Sequence, residues 1–283
     1  MEIKNITVIG SGTMGNGIAH SFAQNGFDVT LCDVKKEFLL RALNTISNNL
    51  DRQVKKNILT ETQKVETLTR IKTNTSFEEA AKTSDLVIEA VFENGELKKD
   101  IFKKLDNSCN ESTILASNTS SISITEIAAV TNRPEKVIGI HFMNPVPMMK
   151  LVEIICGYST SKETLNATKE IILKLEKVGV EVQDFPGFIS NRILLPMINE
   201  AIYCVYENVS TAEAIDTVMK LGMNHPMGPL QLADFIGLDV CLNIMNVLYE
   251  GFGDSKYRAC PLLKKMVAAG FLGKKSGKGF YNY

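Results

Sequence analysis

The sequence predicts two units in series, an α/β unit built on a mostly parallel sheet and an all-α unit after it. Three observations carry that expectation. Short apolar runs alternate with helix-patterned stretches over the first 185 residues, a glycine-rich turn joins the first run to the first helical stretch, and past Pro186-Gly187 only helical periodicity remains. At 283 residues the chain is long enough for two such units, and a 45% apolar content supplies each with a core. The units are accordingly placed at residues 1–185 and 186–283.

Lys4 to Gly10 reads as a buried strand, and Met14 to Asn25 carries apolar residues at helical spacing until Gly26 stops it. Phe27 to Asp33 reads as the next strand, completing a strand–helix–strand unit with the length of a parallel crossover. Val34 to Arg70 is too long for a simple crossover. It is polar and helix-favouring with a break near Ile58–Thr60, and it reads as a projecting helical hairpin whose turn end gathers Arg52, Lys55 and Lys56. Further strands are expected at Leu86–Ala90, Thr113–Ser117, Lys136–Phe142 and Leu151–Ile155, with helical stretches between several of them, and a last strand at Gly179–Asp184.

In the second unit Ile189, Ile193, Met197, Ala201 and Val205 recur every four residues, flanked by Leu194, Ile198 and Ile202. That stripe is wider than one core-facing side needs. Helices are also expected around Ala212–Leu221, Gly228–Tyr249 and Leu262–Ala269. The apolar surface of Ile189–Val205 and Leu238–Leu248 exceeds what a unit of about a hundred residues covers by itself, so a homodimer through the helical unit is expected.

Lys plus Arg number 31 against 32 Asp plus Glu, so no global field draws the chain to nucleic acid or to an anionic membrane, and neither is expected as a partner. No stretch approaches the roughly 18 uninterrupted apolar residues of a bilayer span. Met1 runs almost directly into a β-like segment without the pattern of a secretory signal. The six scattered cysteines form no C-x-x-C pair and read as reduced, buried thiols of a cytoplasmic protein.

Gly10-Ser11-Gly12-Thr13-Met14-Gly15 matches G-x-G-x-x-G where the pattern has mechanical meaning, closing a strand and opening a helix. The first glycine allows the tight turn, the second lets a pyrophosphate approach the backbone, and the third permits close helix–strand packing. Asp33 ends the following strand, 18 residues past Gly15, where its carboxylate would accept from an adenosine ribose and repel a 2′-phosphate. A Rossmann-type unit binding NAD in preference to NADP is expected.

Of three histidines, His141 is the best placed for acid–base chemistry. It ends a strand inside His141-Phe142-Met143-Asn144-Pro145-Val146-Pro147, whose two prolines force an irregular loop beyond the strand's carboxyl end. His20, on the first helix, reads as packing or surface, and His225, before Pro226, as turn structure. Glu153 lies on the next strand in the otherwise apolar Leu151–Cys156 segment. An unpaired carboxylate there would be costly unless it faced His141 or pointed to solvent from an edge strand. A hydride transfer to a ketone needs a proton donor, its reverse a base, and an imidazole oriented by a carboxylate serves both.

The glycine loop, Ser117-Asn118-Thr119-Ser120-Ser121, His141–Pro147 with Lys150-Leu151-Val152-Glu153, and Pro186-Gly187-Phe188-Ile189-Ser190-Asn191-Arg192 resemble the 3-hydroxyacyl-CoA dehydrogenase family in order and spacing. The resemblance runs on to Lys274-Lys275-Ser276-Gly277-Lys278-Gly279-Phe280-Tyr281 and is strongest to short bacterial enzymes acting on 3-hydroxybutyryl-CoA. It implies a His141–Glu153 catalytic pair, with Ser120 and Asn191 holding the oxygen on the substrate's third carbon. It further implies cofactor contacts at Glu93, Lys98, Asn144 and Lys275, and a coenzyme A contact at Lys56. The expected activity is interconversion of a short (S)-3-hydroxyacyl-CoA and its 3-ketoacyl-CoA. Two rivals share the glycine loop: a dehydrogenase of a free small hydroxy acid, which has no use for a basic hairpin, and a non-catalytic dinucleotide-binding protein, in which those site residues would be eroded.

Overall fold

A computed structural model of the protein describes residues 3–283, and the chain divides after Asp184 into two compact units. The first is built on an eight-stranded sheet: β1 (Asn5–Ile9), β2 (Asp28–Cys32), β3 (Ile71–Asn74), β4 (Leu86–Glu89), β5 (Ile114–Ser117), β6 (Val137–Phe142), β7 (Leu151–Cys156) and β8 (Val178–Gln183). Their order across the sheet is β3-β2-β1-β4-β5-β6-β7-β8. Neighbours run parallel except β6 and β7, which are antiparallel.

Burial follows position. Central strands β4, β5 and β6 are buried at every residue, as parallel strands with helices on both faces must be, while the edge strands β3 and β8 alternate or stay largely exposed. Edge position also explains why β3 is invisible in the sequence: Ile71-Lys72-Thr73-Asn74 offers a single apolar residue. Helix α1 (Thr13–Gln24) packs Ile18, Ala19 and Phe22 into the core, where the Phe22 ring meets Phe27 edge-on at 5.2 Å between centroids.

The hairpin consists of α2 (Lys36–Lys55) and α3 (Glu61–Thr69). It does not project as a whole. Among its polar residues α2 keeps one narrow stripe, Leu39, Ala42, Ile46 and Leu50, which is buried in the first core, and Gln53 pairs with Gln24 of α1 at 3.1 Å. What faces solvent is its outer face and the turn, where Asn57 takes a φ of 56° and Thr60 and Gln63 cap each other reciprocally. The remaining helices of this unit are α4 (Phe77–Ala81), α5 (Gly95–Ser108), α6 (Ile124–Ala128) and α7 (Lys162–Lys174).

The second unit is helical: α8 (Ser190–Tyr206), α9 (Ala212–Gly222), α10 (Pro229–Ile236), α11 (Leu238–Phe252) and α12 (Pro261–Ala268). The single helix expected over Gly228–Tyr249 is two helices bent by 97°. Gly237 is the reason: its φ of 104° is open to glycine alone, and that backbone cannot continue a helical ladder. After the bend Leu238, Cys241, Ile244, Met245 and Leu248 turn into the second core with Leu195, Ile198 and Ile202, which leaves Val240 as the exposed apolar side chain of Leu238–Leu248. Other exposed apolar side chains lie at Ile189 just before α8, at Ile193 on α8, at Val218 and Leu221 on α9, and at Phe235 on α10.

Two buried carboxylates pin the last residues to this core. Asp234 accepts from the N–H groups of Phe280 (3.0 Å) and Tyr281 (2.9 Å), and Asp216 accepts from Leu230 N, Gln231 N and the Tyr281 hydroxyl. Burial pushes the Asp234 carboxyl up.

Among the described residues no single helix is long and apolar enough to cross a membrane. All six cysteines are free thiols, four of them buried, while Cys156 and Cys204 are half-buried rather than core as expected. Burial, reinforced by Asp33 and Glu78, pushes the Cys32 thiol up to about 12, leaving it inert as a nucleophile at neutral pH.

Candidate active site

Strand order reverses at β1, which lies between β2 and β4, and such a switch point opens a crevice beyond the strands' carboxyl ends. There β1 runs into Gly10, whose φ of 96° makes the turn and whose N–H donates to Cys32 O at 2.8 Å. A Cβ on Gly10 would stand 2.6 Å from Ala90 O, and one on Gly15 would collide with Gly10 O, so both glycines serve the fold's own packing. Gly12 differs. Its φ is an ordinary −63°, and a Cβ there would meet no protein atom within 4 Å, so neither backbone nor packing demands glycine. The open space above it, at the N-terminus of α1 where no side chain caps and no acidic residue stands in the first turn, fits a pyrophosphate.

Beside this turn lies a cavity of about 830 Å³ bordered by Thr13, Met14, Asp33, Phe38, Arg41 and Phe92, a size suited to a small-molecule site. Ser11 orients Asp33, donating from N (2.7 Å) and Oγ (2.6 Å) to Oδ2, while Val34 N donates to Oδ1 at 2.8 Å. A carboxylate has about four acceptor positions. With three filled, Oδ1 keeps room for a ribose hydroxyl.

His141 is the next-to-last residue of β6 and Glu153 sits in β7, and the antiparallel register makes them direct partners. Opposed residues of such a pair share a face. Nδ1 of His141 accordingly lies 2.8 Å from Glu153 Oε2, with the carboxylate buried and the imidazole 11% exposed. Glu153 is not on an edge, since β8 covers β7, so the solvent-facing alternative for this residue is excluded.

Ser120 lies in the loop after β5, held by Glu93. Glu93 Oε1 accepts from Thr119 Oγ1 (2.5 Å), Ser120 N (2.8 Å), Ser121 N (3.0 Å) and, at 3.2 and 3.0 Å, the hydroxyls of Ser120 and Ser121. Burial acts to raise the Glu93 carboxyl, but the Lys98 ammonium and these hydrogen bonds outweigh it and hold it below the usual range. Lys98, in the first turn of α5, faces inward with only 1% exposure and bridges Glu89 (2.6 Å) and Glu93 (3.3 Å). Asn118 Oδ1 accepts from Phe142 N at 3.0 Å, tying the serine loop to the end of β6 beside His141.

Glu89, Ser117 and Asn118 were not anticipated. The signal for Glu89 was present: a carboxylate closing the apolar run Leu86-Val87-Ile88 at a central strand must have a partner, and the basic residue nine positions on supplies it. Asn144 is exposed in the loop after β6. Lys56 caps α2 at the exposed hairpin turn, so it and its neighbours Arg52 and Lys55 present charge to solvent.

In the second unit Asn191 is buried in the first turn of α8, its N–H donating to Gly187 O at 3.1 Å. Lys275 lies in a short turn near the end of the chain and pairs with Asp239 at 2.7 Å. His20 is packing, fully buried in α1, and neither ring nitrogen makes a hydrogen bond among the described residues.

The sequence profile of the 3-hydroxyacyl-CoA dehydrogenase NAD-binding domain matches residues 5–185, and that of the same family's C-terminal domain matches residues 187–283. The chain belongs to the 3-hydroxyacyl-CoA dehydrogenase family. A Bacillus subtilis protein named probable 3-hydroxybutyryl-CoA dehydrogenase is 60% identical over 100% of this chain and 98% of the relative. A Clostridioides difficile 3-hydroxybutyryl-CoA dehydrogenase is 53% identical over 98% of this chain and 99% of its own length. Among solved structures, the (S)-3-hydroxybutyryl-CoA dehydrogenase of Ralstonia eutropha superposes with a TM-score of 0.97 at 49% identity, covering 100% of this chain and 99% of that one. This 3-hydroxyacyl-CoA dehydrogenase is an NAD-dependent oxidoreductase, and its own residues fit that cofactor: open space at Gly12 for the pyrophosphate and an oriented carboxylate at Asp33 for the ribose.

Proposed function

We propose that this dehydrogenase interconverts (S)-3-hydroxyacyl-CoA and 3-ketoacyl-CoA on short chains of the 3-hydroxybutyryl-CoA and acetoacetyl-CoA size. The observation that carries the reading is the His141–Glu153 pair, buried at 2.8 Å at the carboxyl end of the NAD-binding sheet. The names of relatives at 53% to 60% identity support the substrate.

The reduced nicotinamide, when bound, supplies the hydride. Because Nδ1 of His141 faces Glu153, proton exchange with substrate falls to Nε2. In the reductive direction His141 is doubly protonated and gives its Nε2 proton to the oxygen on the third carbon as negative charge develops there. Glu153 fixes the ring's orientation and stabilises the charged imidazolium, as buried carboxylates do for catalytic histidines. In oxidation the same nitrogen takes the hydroxyl proton. The Ser120 hydroxyl and the Asn191 amide hold that oxygen against His141, and such positioning converts binding energy into rate. Glu93, Lys98, Asn144 and Lys275 serve the cofactor side, and Lys56 at the hairpin turn meets coenzyme A phosphate.

The helical unit is assigned a homodimer interface, supported by exposed Ile193, Val218 and Leu221. The cytoplasm is the assigned compartment, supported by six free thiols. Initial rates with NADH and NADPH against acetoacetyl-CoA, longer 3-ketoacyl-CoA thioesters and free acetoacetate test the activity. Fast NADH oxidation confined to short thioesters is expected. Equal rates with free acetoacetate would overturn the assignment of a CoA substrate.

A further inference from the structure

We propose that Glu89 is a positioning residue for the Ser120 loop, acting through Lys98 and Glu93; this rests on the role given to Ser120 above. Glu89 closes β4 and is fully buried. Its carboxylate accepts three hydrogen bonds. Oε1 accepts from Lys98 Nζ at 2.6 Å and from Val91 N at 2.7 Å, and Oε2 accepts from Ser117 Oγ at 2.7 Å. None of these contacts is with the cofactor turn or with His141, yet a buried negative charge is retained where an apolar residue would close the strand at less cost.

Its use lies in how the two oxygens of Glu93 are divided. Oε2 faces Lys98 at 3.3 Å, while Oε1 alone takes the hydrogen bonds of Thr119, Ser120 and Ser121. Lys98 is buried, and a buried ammonium draws in whatever anion is nearest. Glu89 is nearer by 0.7 Å, the difference between 2.6 and 3.3 Å. By neutralising Lys98 from below, Glu89 leaves Glu93 only loosely engaged on its outer side and free to hold the loop. With Glu89 uncharged, Lys98 would take Glu93 as its sole counter-ion and pull it off Ser120 and Ser121. Ser117 tightens the same arrangement, donating to Glu89 while accepting from Thr119 N at 3.2 Å, so the strand end and the loop share one network.

Glu89→Gln removes the charge and keeps the shape: the amide oxygen still accepts from Val91 and Lys98, and the amide nitrogen faces Ser117. Two readouts decide the matter. In amide hydrogen exchange, the Ser120 and Ser121 N–H groups should exchange at least about tenfold faster in Glu89→Gln, with the amides of β4 and β5 unchanged. In a double-mutant cycle, Glu89→Gln should lower kcat for acetoacetyl-CoA reduction about tenfold in the parent, yet by less than about twofold in a Ser120→Ala background. A residue that merely stabilised the fold would cost the same factor in both backgrounds. Unchanged exchange at Ser120 and Ser121, or equal losses in the two backgrounds, would overturn the proposal while leaving the dehydrogenase reading intact. A parent protein inactive toward acetoacetyl-CoA would sink that reading instead, and the exchange rates would still decide whether Glu89 holds the loop. Should Glu89→Gln fail to fold, Ser117→Ala, which removes one of the three bonds to Glu89, is expected to move the same two amides in the same direction.

Discussion

His141 and Glu153 are twelve residues apart in sequence and become neighbours through one cross-strand register, which makes each of them testable alone. His141→Ala should lower turnover with saturating acetoacetyl-CoA by roughly a hundredfold to ten-thousandfold, the usual worth of a positioned acid–base group, with NAD binding little changed. Glu153→Gln should keep the fold and lose much of that rate, since an amide hydrogen-bonds the ring without stabilising its charge. Near-normal turnover in His141→Ala, read by stopped assays of NADH oxidation, would show that another group carries the proton. Asp33, fixed by two hydrogen bonds from Ser11, makes a second claim. The unmodified protein should prefer NADH to NADPH in kcat/KM, and Asp33→Ala should erode the preference, because repulsion of the 2′-phosphate is what Asp33 supplies. Equal efficiency with both cofactors before mutation would contradict this. His20 governs a different property. Burial drives its imidazole from 6.5 down to about 4, with Lys177 adding to the shift and the Gln24 side chain opposing it. Between those two values the unfolded chain binds a proton that the folded chain refuses, so stability is intact above pH 6.5 and falls as pH drops toward 4. That shift corresponds to about 3 kcal/mol lost over the window. His20→Leu should flatten that acid limb in thermal melts at pH 7, 6 and 5; parallel curves for parent and variant would exonerate His20.

At the scale of elements, the hairpin carries a prediction of its own. Lys56 is exposed where α2 ends, and a thioester's phosphates lie far from its reacting carbon, so remote binding there helps position the carbonyl. Lys56→Ala should raise KM for acetoacetyl-CoA more than KM for NADH, with a larger effect at low salt. If both constants stay put in steady-state assays, the turn's charge is a solvated face. The hairpin also marks where the sequence was readable and where it was not. Its two helices and their break were legible from polar periodicity, but its docking was not, because only four of the eight apolar residues in α2 are buried, and nothing in the sequence marks Leu39, Ala42, Ile46 and Leu50 apart from the rest. The strands and glycine turn were legible because buried parallel strands are written as continuous apolar runs. For Glu153 the apolar strand left two readings, a partner at His141 or solvent at a sheet edge, and the family resemblance pointed to the pair. Glu89 obeys the same rule and was passed over, since the glycine loop and the histidine had already accounted for the chemistry. The bend at Gly237 stayed hidden because a single glycine inside a helical pattern reads as tolerable until its φ is known.

At the scale of the whole molecule, the chain has two parts: residues up to Asp184 form the NAD-binding unit, which holds the His141–Glu153 pair, and the residues from Phe185 on form the helical unit. The expectation here is a homodimer. Static light scattering at micromolar concentration should give twice the chain mass, and charged substitutions at Val218 and Leu221 should shift the mass toward the monomer without changing the helical signal in circular dichroism. A monomeric parent would remove the interface. The pinning of Phe280 and Tyr281 by Asp234 and Asp216 has a further consequence, in the order of synthesis. A ribosome delivers the chain from its amino end, and units fold as they emerge. The NAD-binding unit is complete once Asp184 has cleared the exit tunnel, whereas the helical unit carries two inward-facing acids that lack part of their donor set until Phe280 and Tyr281 are translated. A chain stopped before Phe280 should therefore keep a protease-resistant NAD-binding unit beside a helical unit that proteases open, because Asp234 and Asp216 are left short of donors.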